Sequence, residues 1–236
     1  ALGCFFMRIV SVNLKGDLTK ALLAALDVLK KGGVVAYPTD TIYGLGANAC
    51  DYKAVEQVFK IKNRPFSKPL PIIARDLNWV RELAYLPPKL EKLLAEIWPG
   101  SITAILTRKD IVPPIVTAGS SKVGVRIPDF EFTEKLLAKF GYPLTATSAN
   151  LSGEEGTGNI AAVINFFKDQ LWQPDLIIDA GNLPKSLPST ILDLSTLKPK
   201  ILRVGPTKPD FLMKLLGATY AEKANPKRSA PPAEGY

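Results

Sequence analysis

Leu18, Leu22, Ala25 and Leu29 recur at helical spacing behind Asp17, and Gly32-Gly33 ends the run. The pattern predicts a first helix with Asp17 as its N-cap. An unbroken apolar segment over 34–37 predicts a buried strand. Asp51 then precedes Val55, Val58 and Phe59 at helical spacing, with Lys60 and Lys62 on the last turn. Further along, apolar runs over 70–74, 102–107 and 123–127 predict strands, and the helical period predicts helices over 76–84, 88–97 and 132–140. Gly141-Tyr142-Pro143 turns the chain into a short strand over 144–146. A helix over 160–167, strands over 176–179, 190–194 and 201–204, and a helix over 209–216 complete the pattern. Several strands are joined by loops rather than helices. That favours an α/β fold: a twisted open sheet of mixed parallel and antiparallel strands flanked by helices.

The apolar periodicity gives out at a few polar segments. Strand 34–37 runs directly into Pro38-Thr39-Asp40-Thr41-Ile42-Tyr43-Gly44-Leu45-Gly46, a hydroxyl-rich turn whose glycines would let a ligand approach the backbone. Lys62-Asn63-Arg64-Pro65 lies where the second helix should break, so its two cations can face one way from irregular backbone. Lysine offers a point charge and arginine a planar fork, both suited to phosphate oxygens. Thr145 to Gly153 carries hydroxyls, an amide and a glycine after a short strand. It reads either as a self-bonded turn or as a polar cradle at a strand end. Alternation along 123–127 would set Arg126 on the solvent face. A buried Arg126 would instead need an anionic partner such as a substrate carboxylate. Ser189-Thr190 and Arg203 repeat the theme of a strand with a hydroxyl or a cation and then glycine.

Composition narrows the chemistry further. The 236 residues include no histidine and two cysteines. That removes the usual general base, the Ser–His and Cys–His pairs and the commonest zinc ligand. Two cysteines make a disulfide framework improbable and fit a reducing, cytoplasmic setting. A net charge of +8 favours phosphate-bearing partners. No apolar run approaches the ~20 residues that span a bilayer. No complete dinucleotide fingerprint or Walker loop is present, and no carboxylates have metal-site spacing. Residues 1–6 read as an upstream extension before Met7, residues 7–217 as one domain, and residues 218–236, rich in Ala, Pro, Lys and Glu, as a disordered tail.

Taken in order, these segments resemble the YrdC/Sua5 family of threonylcarbamoyl-AMP synthases, in its short, single-domain form. The landmarks are Pro38 to Gly46, Lys62 to Pro65, Trp98-Pro99-Gly100 with Thr103, Val125 to Pro128, Ser148 to Asn150 with Ser152-Gly153, Ser189 to Ile191, and Leu202-Arg203. The resemblance implies a YrdC-like fold and a nucleotidyltransferase joining L-threonine, bicarbonate and ATP into threonylcarbamoyl-AMP, with release of pyrophosphate. That product feeds the t6A modification of tRNA, through tRNA itself or a transferase partner, with no membrane involved. It also implies catalytic roles for Lys62, Arg64, Ser148 and Asn150. ATP would be bound by these four with Lys122, Ala146 and Arg203, and L-threonine by Thr39, Arg126 and Ser189. Magnesium would enter with ATP, with no protein metal site and no organic cofactor. The competing reading is a non-catalytic RNA-binding module of the same fold, its basic groove holding nucleic acid.

Overall fold

The computed structural model describes residues 7–196 and 198–216. The expected extension over 1–6 and the expected tail over 218–236 lie outside them. In chain order the elements are β1 (Arg8–Ser11), α1 (Thr19–Lys30), β2 (Val35–Tyr37), β3 (Gly44–Gly46), α2 (Tyr52–Lys62), β4 (Ile72–Ile73), α3 (Leu77–Leu83), α4 (Pro88–Ile97), β5 (Ile102–Thr107), β6 (Lys122–Arg126), α5 (Glu131–Phe140), β7 (Leu144–Thr145), β8 (Thr147–Ser148), α6 (Ile160–Phe167), β9 (Leu176–Asp179), β10 (Thr190–Asp193), β11 (Lys200–Arg203) and α7 (Pro209–Leu216).

The architecture is α/β with mixed strand directions, as the pattern predicts. The hydrogen-bonded ladders form two sheets rather than one. A five-stranded sheet runs β1-β9-β2-β3-β8, and a six-stranded sheet runs β11-β10-β5-β6-β4-β7. Parallel pairs (β1 with β9, β2 with β9, β4 with β6, β5 with β10) occur beside antiparallel ones in both sheets. The segment from Leu144 to Ser148 belongs to both sheets, with Ala146 alone between β7 and β8. This crossing brings loops from the two sheets together.

Alternation along β2 divides the core. Val35 and Tyr37 face one apolar cluster with Leu176, Ile178 and the buried faces of α1 and α5. Val34 and Ala36 face the larger cluster, with Ile177, the inner face of α2 and the apolar residues of β5 and β6. Each strand side chain therefore serves the layer that its parity selects. In α1 the N-cap position is Leu18, not Asp17; the Asp17 carboxylate accepts from the Thr19 N–H at 2.9 Å, one residue out of register with the expectation. Asp51 caps α2 as expected, accepting from the Lys53 and Ala54 N–H groups.

Strands β1, β3 and β8 escape the sequence pattern, β8 falling in the segment read as a turn or cradle. β1 carries a single buried residue, Val10, so its alternation is weak. β3 consists of Gly-Leu-Gly, a composition that signals a turn rather than a strand. Its glycines make space for the Tyr37 ring across the ladder, since a Cβ on Gly46 would lie 2.5 Å from a ring carbon of Tyr37. At Gly46 the close approach is made by a tyrosine.

Candidate active site

A cavity of about 510 Å³ opens where the two sheets meet. Most of its polar lining comes from strand ends: Thr39 and Thr41 follow β2, Arg126 ends β6, Ser148 ends β8, Arg203 ends β11, and Ser189 immediately precedes β10. Arg64 and Lys68 enter from the loop after α2. Of the residues singled out in the sequence, the cavity gathers Thr39, Arg64, Arg126, Ala146, Ser148, Asn150, Ser189 and Arg203.

Lys62 reaches the site from behind. It falls at helical spacing from Val55, Val58 and Phe59 on the buried face of α2 and is 2% exposed. Its ammonium donates to the Ser148 carbonyl at 2.6 Å, the Asn150 carbonyl at 2.8 Å and Asn150 Oδ1 at 2.7 Å. Its own carbonyl accepts from the Ser152 N–H at 2.7 Å. All three ammonium donors are thereby committed to the 148–150 turn, and Ser148 Oγ also donates to Asn150 Oδ1 at 2.7 Å. Burial, with the Arg64 charge acting the same way, pushes the Lys62 amine down to about 7. The three oxygen acceptors oppose that shift and favour the ammonium. Asn63 takes a left-handed conformation (φ 50) just after α2, ending the helix. Arg64 then turns to the Lys68 and Pro69 carbonyls, with Nε at 3.0 Å and Nη2 at 2.8 Å. Partial burial lowers its pKa.

On the other side, Arg126 is buried and donates through Nε to the Gly100 carbonyl at 2.8 Å, and through Nη1 to Thr41 Oγ1 at 3.3 Å. Its Nη2 meets both Asp40 oxygens at 2.5 Å. The solvent-face alternative for Arg126 is thus excluded. The anion it requires is supplied by the protein, not left for a substrate. Burial raises the Asp40 pKa and lowers that of Arg126, while their attraction opposes both shifts. Thr39 Oγ1 donates to the Ile42 carbonyl at 2.6 Å and accepts from the Thr41 N–H at 3.1 Å. Ser189 Oγ lies 2.8 Å from Thr103 Oγ1, and Arg203 brackets the Ser189 carbonyl with Nε at 3.0 Å and Nη2 at 2.8 Å. Lost hydration and the neighbouring Arg126 charge both lower the Arg203 pKa. Ala146 offers less than expected, because its N–H is already bonded to the Pro71 carbonyl at 2.8 Å.

Lys122 is the exception. It starts β6, the end opposite Arg126, and its ammonium lies 3.2 Å from Asp193 at the far end of β10. It does not line the cavity. Sequence reasoning missed Lys68 and Glu154, which do line it, and missed the pairing of Asp40 with Arg126. Asp40 was visible within the Thr39 to Gly46 turn, but nothing local shows that its carboxylate crosses to a residue 86 positions away.

Among the described residues, no carboxylate pairs with Lys62, Arg64, Lys68 or Arg203. A cluster of cations left uncompensated around a hollow is a binding site for an anion. A family model for Sua5/YciO/YrdC domains, described as telomere recombination, matches residues 27–205. The chain belongs to the Sua5/YciO/YrdC family. Within that family, a threonylcarbamoyl-AMP synthase of Pyrococcus abyssi is 34% identical over 210 residues, which are 89% of this chain and 61% of that protein. A putative threonylcarbamoyl-AMP synthase of Methanocaldococcus jannaschii is 39% identical over 184 residues, covering 76% of this chain and 85% of that protein. The chain therefore spans about three-fifths of the first relative and most of the second. The crystal structure of Pyrococcus abyssi Sua5 complexed with L-threonine has a TM-score of 0.82 at 34% identity, over 89% of this chain and 61% of that one. Escherichia coli YciO gives 0.78 at 26% identity, over 86% of this chain and 98% of that one.

Proposed function

We propose that this Sua5/YciO/YrdC chain joins L-threonine, bicarbonate and ATP into L-threonylcarbamoyladenylate and releases pyrophosphate, supplying the threonylcarbamoyl group for t6A in tRNA. The observation that carries this reading is the convergence of uncompensated cations (Arg64, Lys68, Arg203) and a compensated one, Arg126, on a single cavity, with Lys62 buried behind it. A triphosphate needs the first kind of charge. An amino acid, carrying both signs, suits the second.

The chemistry asks little of acid–base groups, which fits a chain with no histidine. The threonine amine and bicarbonate form a carbamate and water. A carbamate oxygen then attacks the α-phosphorus, and the bond from that phosphorus to the bridging oxygen of pyrophosphate breaks. Holding carbamate and triphosphate in line supplies most of the acceleration. Arg64 and Arg203, with Lys62 behind the 148–150 turn, stabilise charge on the departing pyrophosphate. Lys62 acts there through its field and by fixing Asn150 and Ser148, since its donors are already bonded. Arg126, Ser189 and Thr39 form the threonine end.

Magnesium enters as the counter-ion of ATP. Among the described residues no group of three or more His, Cys, Asp or Glu side chains could hold a metal ion, so the phosphates would supply its ligands. No helix among the described residues is long and apolar enough to cross a membrane, in keeping with a proposed cytoplasmic role beside tRNA or a transferase that acts on it.

The deciding experiment is mass spectrometry of products from L-threonine, bicarbonate and Mg-ATP. The adenylate and pyrophosphate should appear only when threonine and bicarbonate are both present. Untouched ATP, together with RNA binding that falls steeply with salt, would overturn the reading in favour of an RNA-binding module.

A further inference from the structure

Four cations line the cavity: Arg64, Lys68, Arg126 and Arg203. Of these four, Arg126 alone is paired with a carboxylate among the described residues. Its partner Asp40 sits behind it, with both oxygens on one nitrogen and only 16% of its side chain exposed. Gly100 and Thr41 hold the other two guanidinium nitrogens, so the pair is locked in one arrangement. Arg203 stands close enough to feel the Arg126 charge. Without Asp40, two guanidiniums would face the same space with no anion between them. Such a pair attracts any polyphosphate. With Asp40 in place the Arg126 charge is cancelled, and what remains is a fixed dipole. A zwitterion, neutral overall and with its carboxylate toward Arg126, suits that compensated pair, and a polyanion does not.

From this geometry we infer that Asp40 sets the specificity of the amino-acid site, cancelling the Arg126 charge so that polyphosphate is held by Arg64, Lys68 and Arg203 and not by Arg126. The inference rests on the proposed pairing of an amino acid with a nucleotide in one cavity. It acts by exclusion as well as attraction. Asp40 works through Arg126 and is a positioning residue, not a catalytic one.

Calorimetric titration with inorganic pyrophosphate and with L-threonine separates the possibilities. The unmodified protein should bind one pyrophosphate, and saturating pyrophosphate should leave its threonine affinity unchanged. Asp40→Asn should bind a second pyrophosphate, and its threonine affinity should fall at least tenfold and become competitive with pyrophosphate. Asp40→Glu should restore single binding, as should the double variant Asp40→Asn with Arg126→Gln. An Asp40→Asn isotherm that superimposes on the unmodified one overturns the inference. So does displacement of threonine by pyrophosphate in the unmodified protein, a result that needs no variant to fold. If the unmodified protein binds no threonine, the proposed reaction falls. A second pyrophosphate on Asp40→Asn would still support the charge partition, and its absence would end that too.

Discussion

Lys62 and Lys122 are both lysines that the family resemblance assigns to the nucleotide, and the structure gives them opposite situations. Lys122 neutralises Asp193 at the far end of β6 from the cavity. Lys122→Ala should therefore leave the ATP requirement unchanged within about twofold, since the side chain does not reach the cavity. Arg64→Ala, by contrast, should lower kcat/KM for ATP at least a hundredfold, about 2.7 kcal/mol of transition-state stabilisation, while circular dichroism stays native. Lys62 also carries a pH signature. Its amine ordinarily titrates at 10.5 and is pushed down to about 7 in the fold. Where burial prevails over the three oxygen acceptors, the unfolded chain holds between these values a proton that the folded one has released, so stability rises with pH across that window. The slope is at most about 1.4 kcal/mol per pH unit. Replacing Lys62 by Met should remove this component, which urea unfolding of both proteins at pH 7 and pH 9.5 would measure. Equal slopes would show that the three oxygens keep the proton on the lysine throughout.

At the level of elements, two short strands hold the site through glycine. In β3 the Tyr37 ring covers Gly44 and Gly46, and the Tyr37 hydroxyl donates to the Thr145 carbonyl at 3.2 Å. Gly46→Ala would force a methyl into a buried ring, and overpacking of that kind costs about 1–3 kcal/mol; denaturant midpoints test it. Just past β11, a Cβ on Gly205 would lie 2.3 Å from the Pro188 carbonyl and 2.4 Å from the Thr190 N–H. Both neighbours are backbone and cannot rotate away. Gly205→Ala should therefore separate β11 from the loop before β10, part Arg203 from Ser189, and lower activity more than tenfold. Wild-type activity in that variant would show that the Ser189–Arg203 contact is dispensable.

For the whole molecule, the cavity concentrates like charge that the fold alone does not neutralise. Bound polyphosphate should relieve the repulsion and stabilise the native state. Mg-ATP at a hundred times its Kd would add about 2.7 kcal/mol by mass action, seen as a rise in Tm that shrinks with added salt. A Tm indifferent to ATP would contradict an anion site there. The same scale explains which parts of the protein could be read in advance. Long elements with clean periodicity, such as α1, α2, β5 and α5, fall within a residue or two of the pattern because each buries one face along its own length. β3 and β8 do not, because each is two or three residues long and exists only through its pairing with distant strands.

By itself the sequence determined the α/β class, most of the helices, and the identity of nearly every polar residue that the cavity gathers. Those features follow from local periodicity and from side-chain chemistry interrupting an apolar run. Tertiary structure alone decided which charges are compensated. It sent Lys122 to Asp193 and away from the cavity, turned the Lys62 ammonium onto the 148–150 turn, and set Asp40 against Arg126. Pairing between residues 71 to 88 positions apart has no signature in the chain order. Electrostatics depends on distance in space, and only the folded packing fixes that distance.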